Sequence, residues 1–267
     1  HECSSAASDV YKRQVLFTIK LIAMAMVLTF LAPNVTESYL LSMPVEQGLV
    51  VAAIPVIFTS FGFHGSIPAI VNYLNGNTPS LRKAIIVGSS IPLIIYVFWQ
   101  VVTLGVVSQD ALVDNQGLSG LISTLSTKVH QSGLGQTIGV FADLALLTSF
   151  LGVSLGLFEF LGDSFNKKKA ASSRIVVGAI TFVPPMGFAL FYPQGFIMAL
   201  GYAAIALAIL AIFLPIMMVK KARVAEDTQG GYQVFGGTAG LMISGTVGFI
   251  IIAAQLLITM GVLPSLG

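Results

Sequence analysis

Residues Gln47–Tyr73 read QGLVVAAIPVIFTSFGFHGSIPAIVNY and contain no Asp, Glu, Lys or Arg. The run is longer than the roughly 20 apolar residues a membrane-spanning helix needs. Its middle does not suit a continuous helix: Gly62 and Gly65 lie between Pro55 and Pro68, and both residue types weaken or interrupt helices. Backbone groups freed at membrane depth have to face protein or a water-filled cavity. In a transporter, a break of this kind exposes half-helix N–H and C=O groups to a zwitterionic ligand near the midplane. The same residues also fit a proline-kinked helix that only packs. On the residues alone, neither reading prevails.

The rest of the chain is built in the same way. Of its 267 residues 55% are hydrophobic and 9% charged, and the mean hydropathy is +0.91. Soluble domains carry about 25% charge, so this composition excludes an ordinary soluble fold and implies an all-α protein embedded in a bilayer. Six more apolar runs flank the broken one: Val15–Leu31, Ala84–Val107, Gly135–Leu161, Ile175–Tyr192, Phe196–Val219 and Gly237–Val262. Their connections alternate in charge. Arg82 and Lys83, then Lys167, Lys168, Lys169 and Arg174, then Lys220, Lys221 and Arg223 follow every second run. The loops between carry Glu37, Glu46, Asp110 and Asp114, with Lys128 their one lysine or arginine. Basic loops stay in the cytoplasm, so the first run starts inside and the C-terminus is expected on the outer face. The net charge of +2 is too small to suggest a nucleic-acid partner.

His1–Gln14, HECSSAASDVYKRQ, is polar and lacks periodicity. DVYKRQ is what GAT GTG TAT AAG AGA CAG encodes, a string like the end of a transposon-based sequencing adaptor. Residues 1–14 are therefore set aside as a non-native segment, and residues 15–267 are read as a membrane transporter domain.

Three long stretches carry a family resemblance: AIPVIFTSFGFHGSIPAIVNYLNGN around the break, FADLALLTSFLGVSLGLFEFLGD at Phe141–Asp163, and GAITFVPPMGFALFYPQGFIMALGYA at Gly178–Ala203. They resemble the hydroxy/aromatic amino acid permease family, nearest to its tyrosine-specific members, and the likeness extends from Val15 to Gly267. It implies proton-driven uptake of an aromatic amino acid, tyrosine foremost, across a bacterial cytoplasmic (inner) membrane. It also implies the leucine-transporter-type fold of the amino acid/polyamine/organocation superfamily, about eleven helices with a 5+5 inverted repeat. Val15 would then begin the family's fifth helix, and TSFGFHGS would break its sixth. The family's first four helices, with the other broken helix of the substrate site, have no counterpart in this sequence. A chain of this extent is expected not to transport by itself.

Within this frame Ser60, Phe61, Gly62, Phe63, His64 and Gly65 are the expected substrate-binding residues. Phe61 and Phe63 would wall an aromatic ring, and offset or edge-on ring pairs contribute about 0.5–1.5 kcal/mol beyond area burial; ordinary packing is the alternative. Ser60, Gly62 and Gly65 would offer backbone groups. His64 is the one histidine within a span, and three roles stand open for it: bonding a phenolic hydroxyl, relaying a proton, or capping the broken helix.

Asp143 lies inside the fourth run, where an acid is costly and marks a functional site by default. It is a candidate to carry the coupling proton, against pairing with freed backbone or facing outer water. Thr148 and Ser149 lie further along that run. In sodium-coupled relatives of the fold, hydroxyls on this helix help hold an ion, although packing is the commoner use. Lys20 lies where some proton-coupled members of the superfamily place a lysine in that ion's stead; otherwise it snorkels to the interface. Glu159 could help gate the inner side, but pairing of Glu159 and Asp163 with Lys167–Lys169 is the plainer reading. Tyr96, Trp99 and Tyr202 are aromatic span residues; Tyr202 could serve as a gate, with packing the plainer reading.

No cofactor is expected beyond the proton gradient as energy source. An intramembrane enzyme using His64 and Asp143 would need a nucleophile motif, metal-ligand pair or cofactor loop, and the sequence has none. A permease for tryptophan or phenylalanine, or a non-transporting membrane scaffold, are the competing functions. The chain does not reveal its oligomeric state.

Overall fold

Long uncharged runs have one economical backbone solution in a bilayer, the α-helix, because it satisfies every N–H and C=O internally. The computed structural model of the protein describes residues 2–42, 47–114, 117–129, 133–164, 171–192, 195–224 and 236–264, and regular structure among them is entirely helical. Twelve helices are described. They are α1 Glu2–Leu31, α2 Glu37–Leu40, α3 Gln47–Ser60, α4 Ile67–Tyr73, α5 Thr78–Val106 and α6 Gln109–Asp114. The remainder are α7 Gly117–Lys128, α8 Leu134–Ser164, α9 Ala171–Phe191, α10 Phe196–Ala208, α11 Leu214–Val224 and α12 Gly237–Thr259. Seven stretches are long and apolar enough to cross a membrane: Gln14–Asn34, Gly48–Tyr73, Thr78–Val106, Leu134–Ser164, Arg174–Phe191, Phe196–Val224 and Gly237–Thr259. Each corresponds to one of the seven expected runs. Helix α1 continues without interruption from Glu2 through Gln14, so the backbone does not change at Val15.

The chain forms two compact units, residues 1–43 with 94–193, and residues 44–93 with 194–267. In the first unit α1 lies along α8, and α8 also contacts α7 and α9. Helices α1 and α8 run antiparallel, because Lys20 meets Thr148 while Leu31 is buried in one cluster with Leu134 and Ile138. That cluster also takes in Val102, Val106 and Val107 from the end of α5, and Leu125 and Val129 from α7. Gly105 lets the segment after α1 approach closely. The Thr36 N–H donates to its carbonyl at 2.7 Å, and a Cβ there would lie 2.6 Å from Val35 Cγ1.

In the second unit α3, α10 and α12 pack against one another around Ala204, Ala208 and Ile251, flanked by Ile54 and Phe58. Asn75 adopts a left-handed φ of 48° after α4. The Asn75 N–H donates to Asn72 O at 3.2 Å and the Gly76 N–H to Val71 O at 3.0 Å, a Schellman ending. Asn77 Oδ1 then caps α5 by accepting from the Ser80 N–H at 3.0 Å. Between α10 and α11, Ile209–Phe213 forms a π-turn. Pro215 lacks the N–H that would continue the helix ladder, and such insertions absorb that mismatch. Many large apolar side chains of the spans are exposed, among them Ile91, Phe98, Val153, Phe160, Ile243 and Phe249.

Candidate functional site

The expected break is present. Helix α3 ends at Ser60, a 3-10 turn occupies His64–Ser66, and α4 restarts at Ile67. Short turn bonds carry the chain across: Phe61 N–H to Phe58 O at 3.1 Å, Gly62 N–H to Thr59 O at 3.0 Å and Phe63 N–H to Phe61 O at 2.8 Å. Among the described residues, no acceptor meets the N–H groups of His64 and Gly65, and no donor meets the Gly62 carbonyl. Among the described residues, the break therefore holds unpaired polar backbone of both signs.

Its side chains differ in their freedom. The Ser60 hydroxyl donates to Ile57 O at 2.6 Å, so its lone pairs, not its proton, are available to a ligand. Phe63 is 39% exposed, and Phe61 is half-buried. Among the described residues α4 has no side-chain cap at its N-terminus, and His64 Nδ1 is buried without a hydrogen-bond partner. A Cβ at Gly62 would lie 3.0 Å from Thr59 O and 3.3 Å from Leu207 Cδ2, whereas one at Gly65 would meet nothing within 4 Å. Gly62 is thus held by packing against α10, and Gly65 lies open.

In the other unit, Lys20 and Thr148, both expected at the ion position of sodium-coupled relatives, come together. Lys20 Nζ donates to Thr148 Oγ1 at 3.3 Å. Thr148 itself donates to Leu144 O at 2.8 Å or Ala145 O at 3.1 Å, leaving its lone pairs toward the ammonium. Lys20 also stands 5.3 Å from the Phe17 ring centroid, within cation–π range. Thr148 is near the midpoint of α8, and Lys20 lies about 9 Å along α1 from Gln14. Ser149 and Asp143 do not join this pair; both are exposed. Glu159 and Asp163 are exposed as well, and the proposed partners Lys167–Lys169 lie outside the described residues. Trp99 packs on Phe141 with centroids 5.7 Å apart. Tyr202 is 47% exposed.

One polar residue escaped the sequence reading. Gln255 is 3% exposed, and its side-chain amide occupies the space a Cβ would take at Gly201 of α10. The signal was present, since Gln255 is the one residue of α12 with an amide side chain. Two open grooves are also present. One is formed by Ile19, Ile22 and Met26 with Gln136 and Val140; the other lies between α11 and α12. Neither is lined by a residue of the break.

Comparison with known proteins supplies what geometry alone does not. A family model described as the tryptophan/tyrosine permease family matches residues 3–255. The tyrosine-specific transport system 1 of Haemophilus influenzae is 41% identical over 256 residues, covering 94% of this chain and 64% of that protein. Tyrosine-specific transport system 2 of the same organism is 40% identical over 255 residues, 94% of this chain and 63% of the relative. A tryptophan-specific transport protein of Haemophilus influenzae is 34% identical over 208 residues, 76% of this chain and 50% of its own length. The chain thus spans just under two thirds of the tyrosine-specific relatives it matches. No solved structure matches.

Proposed function

The chain belongs to the tryptophan/tyrosine permease family, and from that premise we propose that the protein takes up an aromatic amino acid, tyrosine foremost, across the bacterial cytoplasmic membrane. The observation that carries tyrosine is the order of likeness. The tyrosine-specific relatives match at 41% and 40% over 94% of the chain, the tryptophan-specific one at 34% over 76%. That lesser match also makes tryptophan the second reading.

The substrate would lie at the α3–α4 break. Its carboxylate would accept from the unpaired N–H groups of His64 and Gly65, and its ammonium would donate to the Gly62 carbonyl and the Ser60 hydroxyl oxygen. Its ring would rest against Phe61 and Phe63. The unpaired Nδ1 of His64 is the candidate partner for the phenolic hydroxyl. The opposite wall would come from the first broken helix of a leucine-transporter-type fold. The C-terminus would face outward, on the strength of the basic loops.

The energy source in this reading is the proton gradient, and Lys20 with Thr148 is the coupling pair. The ammonium would stand where sodium-coupled transporters of the fold hold their ion, with Thr148 supplying one of the oxygens. Ser149 and Asp143, being exposed, rank behind this pair.

Competition assays on labelled tyrosine uptake test the site. Removing a hydrogen bond of about 0.5–1.5 kcal/mol in His64→Ala should erase a two- to tenfold preference for tyrosine over phenylalanine. An unchanged preference removes His64 from the phenol's environment. Stronger competition by tryptophan than by tyrosine puts the tryptophan reading in its place.

A further inference from the structure

The second unit carries a groove that no residue of the α3–α4 break lines. Ile212, Ile216 and Val219 form one wall, and Leu241, Ser244 and Val247 form the other, around a volume of about 360 Å³. Its origin is local. Gly248 brings α12 close to the π-turn, where a Cβ would lie 3.1 Å from Phe213 and 3.2 Å from Ile212. About one turn before Gly248 on α12, the wall facing α11 includes the small side chain of Ser244. The Ser244 hydroxyl is turned back onto Gly240 O at 3.0 Å, so the groove presents no free side-chain donor there. From Ala211 to Val219 it runs about 12 Å, most of the roughly 15 Å hydrocarbon depth of one leaflet.

Among the described residues the charges at its end are all basic, while Glu226 and Asp227 follow in sequence outside the described residues. Across residues 209–224 and 236–264 the charged residues are Lys220, Lys221 and Arg223, all basic and all at the end of α11. Arg223 continues the groove's own stripe, since Ile212, Ile216, Val219 and Arg223 follow at spacings of four, three and four, which share a helix face. Lys220 stands one turn from Ile216 on the same side. Arg223 is half-buried, and Lys220 is exposed. An apolar channel of about one leaflet's depth that ends at half-buried and exposed cations matches a molecule with a hydrocarbon tail and an anionic head.

We propose that this groove binds an anionic phospholipid, its acyl chain between α11 and α12 and its phosphate against Arg223 and Lys220. Basic residues at a membrane interface attract anionic headgroups, and the apolar walls fix where the tail lies. The site is independent of the substrate assigned above.

The test uses the protein at its natural length in lipid nanodiscs, with diazirine-labelled phosphatidylglycerol and phosphatidylcholine compared at equal dose. Crosslinks are mapped by peptide mass spectrometry. Phosphatidylglycerol should label residues 211–219 and 241–247 at least about fivefold more than phosphatidylcholine, the factor expected for one basic residue near the surface. Arg223→Gln and Lys220→Gln, made singly so that the loop stays basic, should each lower the phosphatidylglycerol signal about fivefold and leave the phosphatidylcholine signal unchanged. Ser244→Phe should fill the groove and abolish labelling by both lipids, with size-exclusion behaviour unchanged. Equal labelling by the two lipids overturns the proposal, as does an unchanged signal in both charge variants. Absence of groove labelling in the natural-length protein also overturns it, because another part of the protein then covers the groove.

Discussion

Thr148→Val is the most informative single substitution at the Lys20 site. It keeps side-chain volume and branching and removes one oxygen, the acceptor 3.3 Å from Lys20 Nζ. Hydrogen bonds to charged groups contribute about 1.5–3 kcal/mol, and 3.3 Å lies just beyond the usual N–H···O distance, so about 1.5 kcal/mol is appropriate. That corresponds to roughly a tenfold change in any step that depends on the protonated pair. Two assays on one vesicle preparation separate coupling from substrate handling. Accumulation of labelled tyrosine under an imposed proton gradient should fall about tenfold. Exchange of labelled for unlabelled tyrosine without a gradient should stay within about twofold of the parent, because it needs no net proton movement. Thr148→Ser, which restores the oxygen, should recover accumulation. Normal accumulation in Thr148→Val would refute the coupling role. Equal losses in both assays would move Thr148 into the substrate path or into folding.

Four further expectations follow from packing. Gly65→Ala should leave the thermal midpoint in detergent unchanged, since its Cβ meets nothing within 4 Å, yet reduce tyrosine uptake if substrate approaches this backbone. Gly62→Ala should lower stability by about 1 kcal/mol through contact with Leu207, read as a drop in the same midpoint. Leu134→Ala empties a position that is 0% exposed and should cost about 2–5 kcal/mol, measured by thermal unfolding. Gly201→Ala displaces the Gln255 amide and should destabilise by about 1–3 kcal/mol, with Gln255→Ala partly rescuing it in the double variant.

The spans were legible because a bilayer imposes a length and an apolar composition that few other structures share. Their ends were less so. Helix α5 begins at Thr78, six residues before the apolar run at Ala84, because Arg82 and Lys83 can ride on a helical turn while their charges reach water. Helix α8 likewise runs on to Ser164. The short helices α6 and α7 lie where the sequence suggests a loop. Leu121, Leu125 and Val129 do recur at helical spacing and end up against the first unit's buried cluster, but Ser, Thr and Gly dilute the pattern. The break at Ser60–Ser66 was legible because glycine and proline act locally. The nearness of Lys20 and Thr148 was legible only through the family resemblance, since the antiparallel contact of α1 with α8 is what unites residues 128 apart in sequence. Nor could the sequence tell that Asp143 faces outward from its helix while Gln255 is enclosed. Both sit in apolar runs, and only the neighbouring helices distinguish them.

The central claim, aromatic amino-acid uptake through the broken span, is tested most directly by transport into proteoliposomes holding the protein at natural length, in sodium-free buffer with an inward proton gradient. The account predicts that labelled tyrosine accumulates, that a protonophore collapses the accumulation, and that unlabelled tyrosine competes more strongly than tryptophan. Accumulation no greater than in protein-free vesicles, or uptake that follows sodium instead of protons, would contradict it.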